Sequence, residues 1–142
     1  MNKKWLSRVA KIFLEARKNN DLGLPIIVEG KRDKRLLLDL GFSGPIEIIN
    51  RGWSLEKSTI YFIEKYQYFE KKRKPLFSIL MDWDRTGEDL QNKLLNILNS
   101  MDKRVDETLR KGLIRNLNGR TKTVEGIRFI LDELLIYMHS NN

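Results

Sequence analysis

Three short apolar runs constrain this chain more than any other feature. Leu24-Pro25-Ile26-Ile27-Val28 carries no polar alternation at all. A strand with one wet face alternates apolar and polar side chains, so an unbroken run reads as a strand buried on both faces, as in a parallel sheet. Ile46-Glu47-Ile48-Ile49 reads as a second strand, and Leu76-Phe77-Ser78-Ile79-Leu80-Met81, mostly apolar, as a central third. Between and around them the period becomes helical. Trp5, Leu6, Val9, Ile12, Phe13 and Ala16 predict an opening helix over 3–19, and the leucine-rich run from Arg35 to Leu40 a short one. Ser54 is an N-cap for a helix with Leu55, Thr59, Phe62, Ile63 and Tyr66 on one face, running into Glu70-Lys71-Lys72-Arg73-Lys74 and stopped by Pro75. Thr86, with Asp89 three residues on, resembles a capping box opening a helix lined by Leu90, Leu94, Leu95, Leu98 and Met101. Lys103-Arg104-Val105 is a candidate fourth strand. Leu109, Leu113 and Leu117, then Val124, Ile127, Leu131, Leu134, Leu135 and Met138, give two closing helical patterns.

Strand and helix in alternation are the signature of right-handed crossover units. The expected fold is α/β and Rossmann-like, with about four mostly parallel strands and helices on both faces. The 142 residues are expected to make one domain, with a core over about 24–105, the helix over 3–19 before it and helices over about 106–138 after it. The apolar faces of the end helices are expected to pack on the sheet or on a partner, a second copy or a larger protein complex.

Composition narrows the chemistry. Hydrophobic residues at 41% can fill a core, which excludes a wholly disordered chain. The absence of Cys excludes a disulfide framework, a thiol nucleophile and a thiolate zinc site. Lys and Arg total 27 against 19 Asp and Glu, a net charge of +8, so polyanions are expected neighbours. Arg8, Lys11 and Glu15 interrupt the apolar residues near the start, so neither a signal peptide nor a membrane span is expected, and a cytoplasmic location is.

Ligands of an open parallel sheet bind at the carboxyl ends of its strands. Glu29 follows the first strand, and Asp82 and Asp84 follow the third. If those strands are neighbours, three carboxylates converge, and a divalent cation with hard oxygen ligands, Mg²⁺ above all, offsets their repulsion. Alternation along an extended chain would put Asp82 and Asp84 on one side and Trp83 on the other. Lys31, Arg32 and Arg85 lie within a few residues of the acids, the setting a phosphodiester requires, since cations neutralise charge that builds up as the bond breaks. The amides of Gly87 and Glu88 add a helix-start anion site. Against this stands the plainer role of acids at strand ends, as solvated turn residues or helix caps. Lys72 and Arg73 are a solvated face or a nucleic-acid contact, and Tyr68 is a candidate for stacking. His139, the one histidine, falls in the last few residues, and Ser78 has no histidine near it in sequence, which sets aside an acyl-transfer triad.

The stretches Ile27-Val28-Glu29-Gly30-Lys31-Arg32-Asp33, Asn50-Arg51-Gly52 and Met81-Asp82-Trp83-Asp84-Arg85-Thr86-Gly87-Glu88 together resemble the Toprim domain of topoisomerases, bacterial primases, OLD-type nucleases and a small ribosomal-RNA maturase. The resemblance runs from about Leu24 to about Val105 and is strongest to small stand-alone Toprim proteins. It implies that Glu29 acts as general acid or base, that Asp82 and Asp84 coordinate Mg²⁺ (Mn²⁺ as a substitute), with Glu29 beside them, and that Asp33 supports a helix start after Gly30. Gly87 and Glu88 match the tail of the third motif. Asn50 and Gly52 match an Asn-Gly pair, here separated by Arg51, which joins the candidate phosphate ligands. The chain holds neither the cleavage domain of a topoisomerase nor the cysteine-rich module of a primase. The expectation is therefore metal-dependent phosphodiester chemistry on DNA or RNA, as a small nuclease or nucleotidyl-transfer enzyme. The alternatives are a non-catalytic nucleic-acid-binding module, to RNA or ribonucleoprotein, and an enzyme handling a nucleotide or small phosphate.

Overall fold

The computed structural model describes residues 3–49 and 52–141. The elements run α1 (Lys4–Asp21), β1 (Ile26–Val28), α2 (Lys31–Asp39), β2 (Ile46–Ile48), α3 (Leu55–Tyr66), β3 (Phe77–Leu80), α4 (Arg85–Ser100), β4 (Val105–Asp106), α5 (Thr108–Leu117) and α6 (Leu131–Ser140). Short 3-10 turns follow α3 and precede α6. The four strands form one parallel sheet in the order β2-β1-β3-β4, a Rossmann-like α/β arrangement.

Both faces of the sheet are covered, which is why its strands lack polar alternation. Ile26 and Val28 point into a layer shared with Leu6, Val9 and Phe13 of α1, Leu36 and Leu37 of α2, Leu113 and Leu117 of α5, and Leu134 of α6. Ile27 points the other way, into a layer with Phe62 of α3, Phe77 and Ile79 of β3, and Leu94 and Leu98 of α4. The end helices thus pack on the sheet, with α1 against α5 and α6. Glu47, although in β2, is 4% exposed. Its carboxylate accepts from Lys65 Nζ at 2.7 Å and from the Tyr66 hydroxyl, which keeps a buried charge paired.

The chain passes from β1 to β2 on one side, then crosses back over β1 to lay down β3. That reversal opens a crevice between the carboxyl ends of β1 and β3. Val28 and Leu80 are register partners, so Glu29 and Asp82 leave the sheet side by side.

Several helix boundaries differ from the sequence reading. The α2 helix begins at Lys31, four residues before the leucine run, because the Asp33 carboxylate accepts the Gly30 amide at 3.1 Å and caps the first turn. Helix α4 starts at Arg85, not after Thr86: Asp84 is its N-cap, with Oδ1 accepting the Gly87 amide at 2.8 Å. Helix α3 ends at Tyr66, before the charge run. The closing pattern from Val124 splits into a 3-10 segment, Glu125–Ile130, and α6. No helix among the described residues is long and apolar enough to cross a membrane.

Asn20, fully buried at the end of α1, clamps the two loops that enter the sheet. Its Nδ2 donates to Leu24 O at 3.0 Å and Pro45 O at 2.9 Å, and its Oδ1 accepts the Gly44 amide at 2.8 Å. Asn20→Ala strands three backbone groups and is expected to cost about 3 kcal/mol in urea unfolding. A loss under about 0.5 kcal/mol would show that water takes over these contacts.

Candidate active-site cleft at the carboxyl edge of the sheet

The carboxyl ends of β1 and β3 open into a cleft of about 770 Å³. Its lining combines the charged Glu29, Lys31, Arg32, Asp33, Asp82 and Glu125 with the apolar Ile48, Ile49, Leu55, Leu90 and Trp53. Glu29 and Asp82 are joined directly, because Glu29 Oε1 accepts the Asp82 amide at 2.9 Å. Asp82 Oδ1 accepts the Val124 amide at 2.7 Å. Each carboxylate therefore spends one oxygen on backbone.

Burial first, and then crowding, raises the proton affinity of these acids. Burial pushes the Glu29 carboxyl above its usual range, and the charges of Asp82, Asp33 and Asp84 add to the push against the Asp82 amide. Burial likewise raises Asp82, with Asp84 and Glu125 adding to it and the Val124 amide and Arg110 opposing. Asp33 is pushed up to about 6, by burial first and then by the charge of Asp82.

Asp84 stands slightly apart. It caps α4 and lines a neighbouring shallow cleft with Trp83, Arg85, Thr86, Glu88 and Asp89, although it is close enough to Glu29 and Asp82 to raise both. Trp83, between the two aspartates, turns into the core at 9% exposed, and its Nε1 donates to Thr121 O at 2.8 Å. Gly87 has no room for a side chain: a Cβ there would stand 2.2 Å from Asp82 O. That close approach presses the first turn of α4 onto the end of β3.

Of the proposed phosphate ligands, Lys31 and Arg32 border the main cleft and Arg85 the neighbouring one, all exposed. Arg32 also pairs with Glu125 at 3.4 Å. Lys72 and Arg73 are exposed before the start of β3, at the opposite edge of the sheet, and the structure does not bring them to the acids. Gly52, with φ +74, turns the chain toward Trp53, and Asn50 and Arg51 lie outside the described residues.

Two contributors went unread in the sequence. Arg110 of α5, 4% exposed, donates to Met81 O at 2.9 Å, Asp82 O at 2.8 Å and Glu88 Oε2 at 2.9 Å, so it straps the strand end to α4. Its signal was a charge on the apolar stripe of Leu113 and Leu117, three and seven residues away. The second is the segment from Thr121 to Glu125, which docks on Asp82 and Trp83; its sequence showed only the end of a turn at Thr121 and, at Val124, the first residue of the closing helical pattern.

The donor set suits a hard divalent cation in its chemistry: several carboxylates, crowded enough to hold protons above their usual range, with oxygens left over. Among the described residues, however, no three Asp, Glu or His side chains stand together as a closed metal cage. An ion here would be held by one or two carboxylates at a time and completed by water or substrate oxygens, the usual habit of Mg²⁺.

Because the Asp33 carboxyl has a raised pKa, the stability it confers is full below about pH 4 and is lost as pH rises through about 6. Asp33→Asn keeps an acceptor for the Gly30 amide and removes this titration. In chelator-treated buffer the difference in melting temperature, variant minus wild type, is expected to grow from pH 4 to 6 and then level off. A difference independent of pH would show that Asp33 is not perturbed.

No family model matches the chain, and no solved structure matches it. Curated relatives do. A UPF0292 protein of Methanosarcina barkeri is 30% identical over 132 residues, covering 93% of this chain and 86% of the relative. One from Thermococcus onnurineus is 38% identical over 102 residues, 72% of this chain and 69% of the relative. One from Methanosarcina acetivorans is 35% identical over 92 residues, 65% of this chain and 58% of the relative. With the similarity to the first running through nearly the whole of both sequences, the chain belongs to the UPF0292 family.

Proposed function

We propose that this protein carries out Mg²⁺-dependent phosphodiester chemistry on nucleic acid, as a small nuclease of the Toprim type. The observation that carries the reading is the pairing of Glu29 with Asp82 at the ends of adjacent parallel strands, in a cleft bordered by Lys31 and Arg32. Glu29, held above its usual range by burial, is suited to hold and pass a proton. Asp82, Asp84 and Glu29 are the residues that would hold the ion, one or two of them at a time, with water or substrate oxygens completing its shell. When bound, it would polarise the phosphoryl oxygens and neutralise developing charge. Lys31, Arg32 and Arg85 bind and orient the phosphate backbone, and Arg110 keeps the Asp82 peptide in place from behind. The net charge of +8 draws a polyanion to this surface.

A second reading, a nucleic-acid-binding module without turnover, is favoured by one observation: the acids do not form a closed metal cage among the described residues.

Purified protein incubated with labelled RNA or DNA and Mg²⁺ separates the two. Cleavage is expected in the wild type, reduced by about 10²–10⁴-fold in Glu29→Gln and at least about 100-fold in Asp82→Asn. Wild-type binding without cleavage would favour the module. Metal uptake has its own readout. Mg²⁺ at roughly tenfold above its dissociation constant is expected to stabilise the wild type by about 1.4 kcal/mol, roughly 4 °C in melting temperature. The gain should shrink in Asp82→Asn and as pH falls and the carboxylates protonate. An unchanged melting temperature at 10 mM Mg²⁺ (on the order of tenfold above a millimolar constant) would count against a metal site.

A further inference from the structure

The apolar lining of the cleft is not explained by phosphate chemistry. A duplex offers its phosphates to a protein and keeps its bases stacked inside, so a site that handled only backbone would have no use for Trp53, Ile48, Ile49, Leu55 and Leu90 in the same cleft as the acids. Trp53 is 40% exposed and lines the same cleft as Glu29 and Asp82. Its ring is held in position: Tyr61 packs edge-on against it, with centroids 5.5 Å apart and planes at 81°. Lys57 Nζ lies over one face of the ring, 4.5 Å from its centroid. An indole with a cation over one face matches an unpaired nucleotide, whose base would take the other face and whose phosphate the cation.

We propose that Trp53 is a stacking platform for an unpaired base, and that the cleft selects single-stranded nucleic acid. The inference rests on the nucleic-acid reading above and narrows its substrate. Little ordering is needed on binding, because Tyr61 and Lys57 already fix the ring, and the positive φ of Gly52 sets the turn that delivers it. A base on Trp53 would bring its own phosphate toward Lys31 and the Glu29–Asp82 pair, which line the same cleft. Paired bases cannot reach the indole without leaving their stack.

The test is binding of fluorescein-labelled ten-nucleotide oligo-uridylate and oligo-thymidylate, and of a blunt duplex of equal length, followed by anisotropy with Mg²⁺ in the Asp82→Asn background. Cleavage is assayed in parallel in the Asp82-containing protein. Trp53→Ala is expected to weaken single-strand binding by about 5- to 100-fold, the size of one lost base–aromatic stack. Duplex binding should change less than twofold, and Trp53→Phe should recover most of the loss. Single-strand binding within twofold of the parent in Trp53→Ala overturns the platform, and it leaves the nuclease reading standing if cleavage persists. Trp53-dependent binding without cleavage upholds the platform and overturns the nuclease. Uridine monophosphate binding as tightly as the ten-mer overturns the polymer substrate, and no binding to either strand form overturns both readings.

Discussion

The peptide of Asp82 is where the molecule is held together. Its amide donates to the Glu29 carboxylate, its carbonyl accepts from Arg110, and its side chain accepts the Val124 amide. Gly87 presses on the same carbonyl from the first turn of α4. Three parts of the chain far apart in sequence, around Glu29, Arg110 and Val124, therefore meet on one residue, beside the adjoining helix start. A strand end would otherwise leave these polar groups to water; here they are satisfied inside the protein, and a half-buried carboxylate is fixed in direction.

Burial of these acids has an electrostatic cost, visible in the raised proton affinity of Glu29, Asp33 and Asp82, which the amide hydrogen bonds only partly offset. Structural acids are ordinarily stabilised as anions by nearby cations. In this cleft the buried cation, Arg110, spends its hydrogens on two carbonyls and on Glu88, while Arg32 pairs with Glu125. Lys31 and Arg32 border the acids from exposed positions where solvent screens them, so the carboxyls keep their raised proton affinity. Lys72 and Arg73 sit beyond the far end of a four-residue strand, roughly 13 Å of backbone away.

The mixed lining of the cleft follows from the sheet. Glu29 and Asp82 emerge where the chain reverses its direction of travel across the sheet. Ile49, Leu55 and Leu90, which pack with α3 and α4 on one face of the sheet, reach the same cleft, so one packing layer contributes apolar surface beside the acids.

Sequence alone determined the sheet and its acids. Unalternated runs such as Ile26-Ile27-Val28 can satisfy both faces only between two helical layers, and parallel strands put whatever follows them on one edge; Glu29 and Asp82 had nowhere else to go. Helix starts were less legible, because capping depends on which of several nearby oxygens reaches an amide: Asp84 took the role that Thr86 and Asp89 suggested, and so was drawn partly out of the cleft. Tertiary structure alone decided the roles of Arg110, Glu125 and Trp53. Partners of Arg110 lie 22 or more residues away and the partner of Glu125 is Arg32 of α2, while Trp53, held by the nearby Lys57 and Tyr61, meets the acids only in the folded cleft; no local period records a contact between segments that meet only when the sheet closes its crevice.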